Sequence, residues 1–390
     1  MDALGRPDCP AHRRLTRLEV AACLALAMIG VYSTSFGPAL QAIADEFGVS
    51  LDHAGVLLTL LFLGSILASA AFAGWLHRFD SKRFVALGAL LVGAGCAGIA
   101  LAPSWAWLLP GVVLTGAGGG LMDAGSHTIV TRVSADVTRG INRLNVCFAV
   151  GAVAGPLWAG VVLEAVPGAL PAVYLGISAL MVATAAFAAL SPAVELHPEA
   201  SHSSSLRLTR LAMIMGLVLC LYVGAEFGLG SWVASYADRE FDAGTLTGGL
   251  ITSGYWGALM VGRLISGWLF RHGAAAHRVL IGSIACGLFT SAAIAAANQS
   301  LALAVAAAFA TGLAFGPIWP AAMAVAAGKR GANVPAAMVT IGNSGGFIFP
   351  WLQGRILVEA GATTGIALSA VLCAAMLAVA LAARDEERPA

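Results

Sequence analysis

Four charged residues, Asp123, Glu226, Arg263 and Arg355, stand inside long apolar runs of this chain, where a charge is costly and normally has a partner or a task. Asp123 and His127 lie four positions apart in Gly116-Ala117-Gly118-Gly119-Gly120-Leu121-Met122-Asp123-Ala124-Gly125-Ser126-His127. On a helix they share one face, a single turn apart. A carboxyl drawn out of water beside an imidazole, the side chain that titrates nearest neutrality, is a candidate for binding and releasing a proton. The glycines from Gly116 to Gly120 let a neighbouring backbone come close. The alternative is a hydrogen-bonded packing pair joining this segment to Asn145. Glu226 follows Tyr222 by one turn in a second apolar run, among Gly224, Gly228 and Gly230. It can hold a hydroxyl, a cation or a proton; equally, it can tie its helix to a neighbour through Arg263 or Arg355. Those two arginines lie near the ends of their runs, from which a long side chain reaches the interface. A structural clasp is the preferred reading for both; the alternative is that either serves as counter-charge to an anionic solute.

The elements that carry these residues must be membrane spans. Of 390 residues, 59% are hydrophobic and 11% charged, against roughly a quarter charged in a soluble domain. A net charge of +1 gives no basis for nucleic-acid binding. Taking about 20 apolar residues per crossing, spans are expected near 18–44, 51–76, 84–102, 105–131, 142–166 and 170–193. A second set is expected near 208–236, 246–270, 276–297, 299–328, 333–358 and 362–383. The polar stretch between the sets, with the run Ser201-His202-Ser203-Ser204-Ser205, reads as a linker. The division is therefore 1–193, a first six-helix half; 194–207, a cytoplasmic linker; and 208–390, a second half.

Arginine placement sets the expected orientation. Arg13, Arg14, Arg17, Arg78, Arg83, Arg132, Arg139, Arg143, Arg271, Arg278 and Arg330 all fall on one side of this arrangement. The opposite side holds Arg239 and the acids Asp45, Glu46, Asp52, Asp238, Glu240 and Asp242 in its loops. Such asymmetry predicts both termini in the cytoplasm of a multi-pass protein of the cell membrane. A repeat accompanies it: Gly74-Trp75-Leu76-His77-Arg78 returns as Gly267-Trp268-Leu269-Phe270-Arg271, and Ala44-Asp45-Glu46-Phe47 is echoed by Ala237-Asp238-Arg239-Glu240-Phe241. Two parallel six-helix halves place a solute site at their interface. The scattered cysteines, Cys9 to Cys373, show no metal-ligand spacing and read as small core residues; no metal or cofactor is expected.

With these residues in view, the chain resembles the major facilitator superfamily over essentially its whole length. The family's loop motif corresponds to Gly74-Trp75-Leu76-His77-Arg78-Phe79-Asp80-Ser81-Lys82-Arg83. The resemblance implies a gating role for Gly74, Arg78, Asp80 and Arg83, with Asp80 standing in for the aspartate usual at position 78. Three stretches are similar to the fucose–galactose–proton symporter branch: Gly116 to His127, Leu144-Asn145-Val146-Cys147-Phe148, and Tyr222 to Trp232. That branch carries an acid and, four residues later, an asparagine, where this chain has Asp123 and His127. The segment Gly151-Ala152-Val153-Ala154-Gly155-Pro156-Leu157-Trp158-Ala159-Gly160 resembles part of a drug–proton antiporter motif.

The fold expected is an all-α membrane protein of twelve transmembrane helices in two pseudo-symmetric bundles. The function expected is secondary active transport of a small polar solute, a sugar in the lead reading, coupled to protons or sodium by alternating access, in a monomer. A proton-coupled drug or metabolite efflux antiporter is the alternative. Asp123, His127 and Glu226 are the expected coupling residues. Asn145, Tyr222, Glu226, Trp256 and Asn343 are the expected solute contacts, since amides and aromatic faces suit a sugar ring and its rim of hydroxyls. No nucleotide-binding loop or HExxH motif points to ATP hydrolysis or proteolysis.

Overall fold

The computed structural model describes residues 15–73, 80–134, 136–166, 168–192, 210–297, 300–327 and 334–385. The described residues form thirteen helices: α1 Arg17–Phe47, α2 Leu51–Ala73, α3 Ser81–Ala100, α4 Trp105–Val133, α5 Val137–Ala165, α6 Leu170–Ala189, α7 Arg210–Phe241, α8 Gly244–Arg271, α9 Ala276–Ala296, α10 Leu301–Phe315, α11 Ile318–Ala327, α12 Val334–Glu359 and α13 Ala362–Asp385. A spanning backbone must satisfy its own polar groups, and helices do so within one segment. α10 and α11 are parts of one span interrupted at Gly316 and Pro317. Proline has no N–H to offer the carbonyl of Leu313, four residues earlier. The helices thus make twelve crossings, the all-α twelve-span fold of a multi-pass membrane protein.

Ten spans are long and apolar enough to cross on composition alone. The two that are not, α8 and α12, are 28 and 26 residues long; their glycines, hydroxyls, amides and arginines lower the mean hydropathy. These two also carry Trp256, Arg263, Asn343 and Gln353.

On the far side, where α1 ends, two helix ends run three or more residues beyond the expected limits. Ala44–Phe47 and Ala237–Phe241, read as loop segments, are the last turns of α1 and α7. Alanine and glutamate keep good helix propensity outside the apolar core; α1 stops only where Gly48 takes the left-handed φ of 62°.

The side on which α1 begins and α13 ends is here the near side, and the opposite face the far side. α3 packs on α4 and α6, α1 on α5, and α2 on α4; among the later helices α7 packs on α12 and α13, and α8 on α10. The two groups meet along α2–α12, α5–α8 and α1–α7. The side-chain contacts at these seams lie in the far halves or near the middle of the helices. Gly37 sits against Ser231 and Gly249 against Pro156. Thr59 Oγ1 donates to Phe347 O at 2.9 Å, and Ser253 Oγ to Val153 O at 2.9 Å. On the near side α4 forms no packed interface with α10 or α11 among the described residues. Among the described residues the two groups are closed together at the far side and parted at the near side.

Within the first group, α1 and α5 run parallel in a fixed register. Glu19 pairs with Arg143, Ala27 O lies against Gly151, and Val31 O against Gly155. The glycines of the Gly151–Gly160 segment are therefore occupied in close helix packing, with Gly160 meeting Gly249 across the α5–α8 seam.

Candidate functional site

α4 is held by its glycines on three sides. Gly116 and Gly120 lie against the carbonyls of Leu61 and Ser65 on α2, Gly118 against that of Gly88 on α3, and Gly119 against the Tyr32 hydroxyl of α1. Asp123, one turn beyond Gly119, leaves the helix between the α1 and α2 contacts, where packing ends on the near side. Its side chain is 55% exposed. The expectation of a buried Asp123 is corrected here: the glycines bury the turn before it, and the parted near side uncovers Asp123 itself. His127 Nδ1 stands 3.4 Å from Asp123 Oδ1 and 3.0 Å from Asp123 O. The pair is formed as spacing indicated, and no hydrogen bond joins it to Asn145. Asn145 on α5 and Asn343 on α12 are both half-buried, and no hydrogen bond engages either amide among the described residues.

Glu226 occupies the middle of α7 and is almost fully buried. Arg263 Nη2 of α8 donates to its Oε1 at 2.8 Å, and Tyr222 OH donates to the same oxygen at 2.9 Å. Tyr255 OH donates to Glu226 O at 3.0 Å. Each charge here is withdrawn from water and compensated by the other, the condition under which a buried ion pair is tolerated. Of the two readings open for Glu226, the interhelical tie through Arg263 is the contact present. Tyr222 is itself fully buried, with Phe315 and Trp319 at ring distances of 6.0 and 6.4 Å. Arg355 is engaged elsewhere: its Nε is 2.9 Å from Glu359 Oε1, and its guanidinium lies 5.9 Å from the Trp351 ring centroid.

Trp256 of α8 stands two turns to the far side of Arg263. Its ring meets Phe227 at 5.4 Å, Tyr255 at 5.4 Å and Phe148 of α5 at 6.4 Å, while Phe227 meets Phe62 of α2 at 5.0 Å. These aromatic contacts bridge the seam between the first six helices and the later ones. Trp256 is 2% exposed, yet its Nε1 has no partner.

Gly74 and Arg78 of the loop motif, and the expected linker 194–207, lie outside the described residues. Asp80 Oδ1 caps α3 by accepting from Lys82 N at 3.2 Å; Lys82 Nζ reaches Ser191 O at 2.7 Å, and Arg83 is exposed. Sequence reasoning missed Glu19. Buried at the near end of α1, it accepts from Ser134 Oγ at 2.7 Å and Arg143 Nη2 at 2.9 Å. The signal available was the Thr16-x-x-Glu19 spacing of a capping box, which is present.

A family model described as Major Facilitator Superfamily matches residues 21–350. No curated protein matches the sequence. Among solved structures, a D-xylose-proton symporter superposes with a TM-score of 0.76 at 11% identity, over 93% of this chain and 96% of that one. A point mutant of the nucleoside transporter NupG gives 0.72 at 12% identity, over 95% and 99%. A bacterial homolog of the human lysosomal transporter Spinster, inward-facing and occupied, gives 0.70 at 16% identity, over 93% of each chain. At such identities the likeness is one of fold.

Proposed function

The chain belongs to the major facilitator superfamily and is a secondary active transporter of a small solute, not an enzyme; on that premise we propose that it imports a small polar solute, sugar-like in its hydroxyls, by proton-coupled alternating access. The two six-helix halves, 1–193 and 208–390, rock about the α2–α12 and α5–α8 seams as a monomer, with the linker 194–207 and both termini cytoplasmic. The observation that carries this reading is the Asp123–His127 pair, in contact and exposed on the parted near side. A carboxylate and an imidazole so placed exchange protons with the compartment the site faces. Asn145 and Asn343 offer free amides to hydroxyls, and the Trp256 cluster roofs the site. Glu226 and Tyr222 act on the solute through Arg263 rather than by direct contact.

An efflux antiporter draws less support. The segment that suggested one is taken up in α1–α5 and α5–α8 packing, and the Asp123–His127 pair makes the near-side opening polar.

In reconstituted vesicles, Asp123→Asn is expected to abolish concentrative uptake driven by an imposed pH gradient while leaving solute exchange intact. Only the ion-driven part of the cycle needs the carboxylate. Undiminished accumulation by this variant, or accumulation that follows a sodium gradient instead, overturns proton coupling at Asp123.

A further inference from the structure

The buried polar groups left without partners are the strongest pointer to what the site holds. On α8 two donors are in this position: Trp256 Nε1 and Arg263 Nε. They are seven residues apart and so share one face of the helix, the face turned to α7, where Gly230 receives the Trp256 ring and Glu226 receives Arg263. The ion pair with Glu226 is incomplete. A guanidinium presents a two-nitrogen edge suited to both oxygens of a carboxylate. Here a single nitrogen meets a single oxygen, and that oxygen is shared with the Tyr222 hydroxyl. Nε is left over, and about a fifth of the Arg263 side chain remains exposed.

Register places a second group near it. α5 and α8 are antiparallel, with Gly160 on Gly249, Val153 bonded to Ser253 and Phe148 against Trp256. Continued towards the near side without further drift, this register sets Arg263 opposite residue 141, about one turn from the free amide of Asn145.

Leftover donors want an acceptor-rich ligand. A neutral polyol brings donors and acceptors in equal measure and leaves an arginine edge half used; a carboxylate fills it. We infer that the transported solute is a hydroxylated carboxylate, its anionic end bound by Arg263 and its hydroxyls by Asn145, with Glu226 occupying the guanidinium while the site is empty. This rests on the transporter reading above and names its solute class. Glu226 then competes with the solute for one cation, which sets the sign of a mutational effect that a purely structural clasp would not produce.

The test uses the purified full-length protein and three probes, lactate, gluconate and galacturonate, against glucose and galactose, with binding read as protection from thermal unfolding. At least one carboxylate is expected to protect at concentrations where both neutral sugars do nothing. Glu226→Gln, which frees the guanidinium, is expected to lower the half-saturating concentration of that carboxylate about tenfold. Arg263→Gln could fail to fold beside an unpaired Glu226, so the neutral double variant Glu226→Gln/Arg263→Gln serves as the control. It should fold and lose the carboxylate preference. Protection by a neutral sugar equal to that by the carboxylates, weaker binding in Glu226→Gln, or no response to any probe overturns the inference. Proton-driven uptake of glucose that depends on Asp123 would then leave the proposed transport standing with a different solute. Loss of proton coupling with carboxylate binding intact would do the reverse.

Discussion

Glu19 shows how one side chain fixes three helices. Its carboxylate accepts from the backbone N–H and hydroxyl of Thr16 at the start of α1, and takes donors from Ser134, just past α4, and from Arg143 on α5. Removing its charge leaves a part-exposed guanidinium and a hydroxyl poorly satisfied, at a cost of about 1 kcal/mol once the exposure of Arg143 is allowed for. Glu19→Gln is accordingly expected to lower the thermal stability of detergent-purified protein, and Arg143→Gln to lower it by a similar amount. The double variant should cost less than the sum, because both singles break one bridge; additive losses would show that the bridge is not what holds the helices. Glu19 was hard to read from sequence because it stands at the edge of its span, with partners 115 and 124 residues away. The Asp123–His127 contact, by contrast, follows from four-residue spacing alone. What spacing could not give is whether that face meets a neighbour or an opening, since this depends on where α1 and α2 stop touching α4.

At the level of the helices, the crossings themselves were legible, because an apolar run of spanning length has few other uses. The break between α10 and α11 was read as continuous, although Gly316-Pro317 supplied the signal. Partners of helices were less legible: α1 packs on α5, not mainly on α2, and only the small residues at 27, 151 and 155 hint at it. Gly151 lies against the carbonyl of Ala27, so any side chain there forces two backbones apart. Gly151→Val should destabilise the protein by about 3 kcal/mol, the upper end for overpacking. Gly267, on α8, has open space around the position of a Cβ. Gly267→Val should leave the melting temperature unchanged, and an equal drop in both variants would mean that glycine matters here through the backbone and not through contact.

For the whole molecule, closure at the far side and separation at the near side among the described residues are what the proposed transport cycle requires of one of its end states. Spin labels at Thr131 on α4 and Ala324 on α11, both exposed near-side positions, should move closer when solute and protons are added, while labels at Gln41 and Asp242 on the far side move apart. Distances that change at one side alone would replace rocking with local gating. Orientation is tested separately: a cysteine replacing Ser203 should resist an impermeant reagent added outside intact cells, and labelling there would invert the topology. The register of α1 with α5 bears also on how the protein is made. Glu19 finds Arg143 only after 124 further residues have been synthesised, roughly 6–25 s at ordinary elongation rates. Throughout that interval α1 has left the ribosome with an unmatched acid at its near-side rim and a glycine-bearing flank against lipid or the insertion machinery. The first helix must wait for the fifth, and the newborn chain is most open to quality-control proteases before α5 arrives.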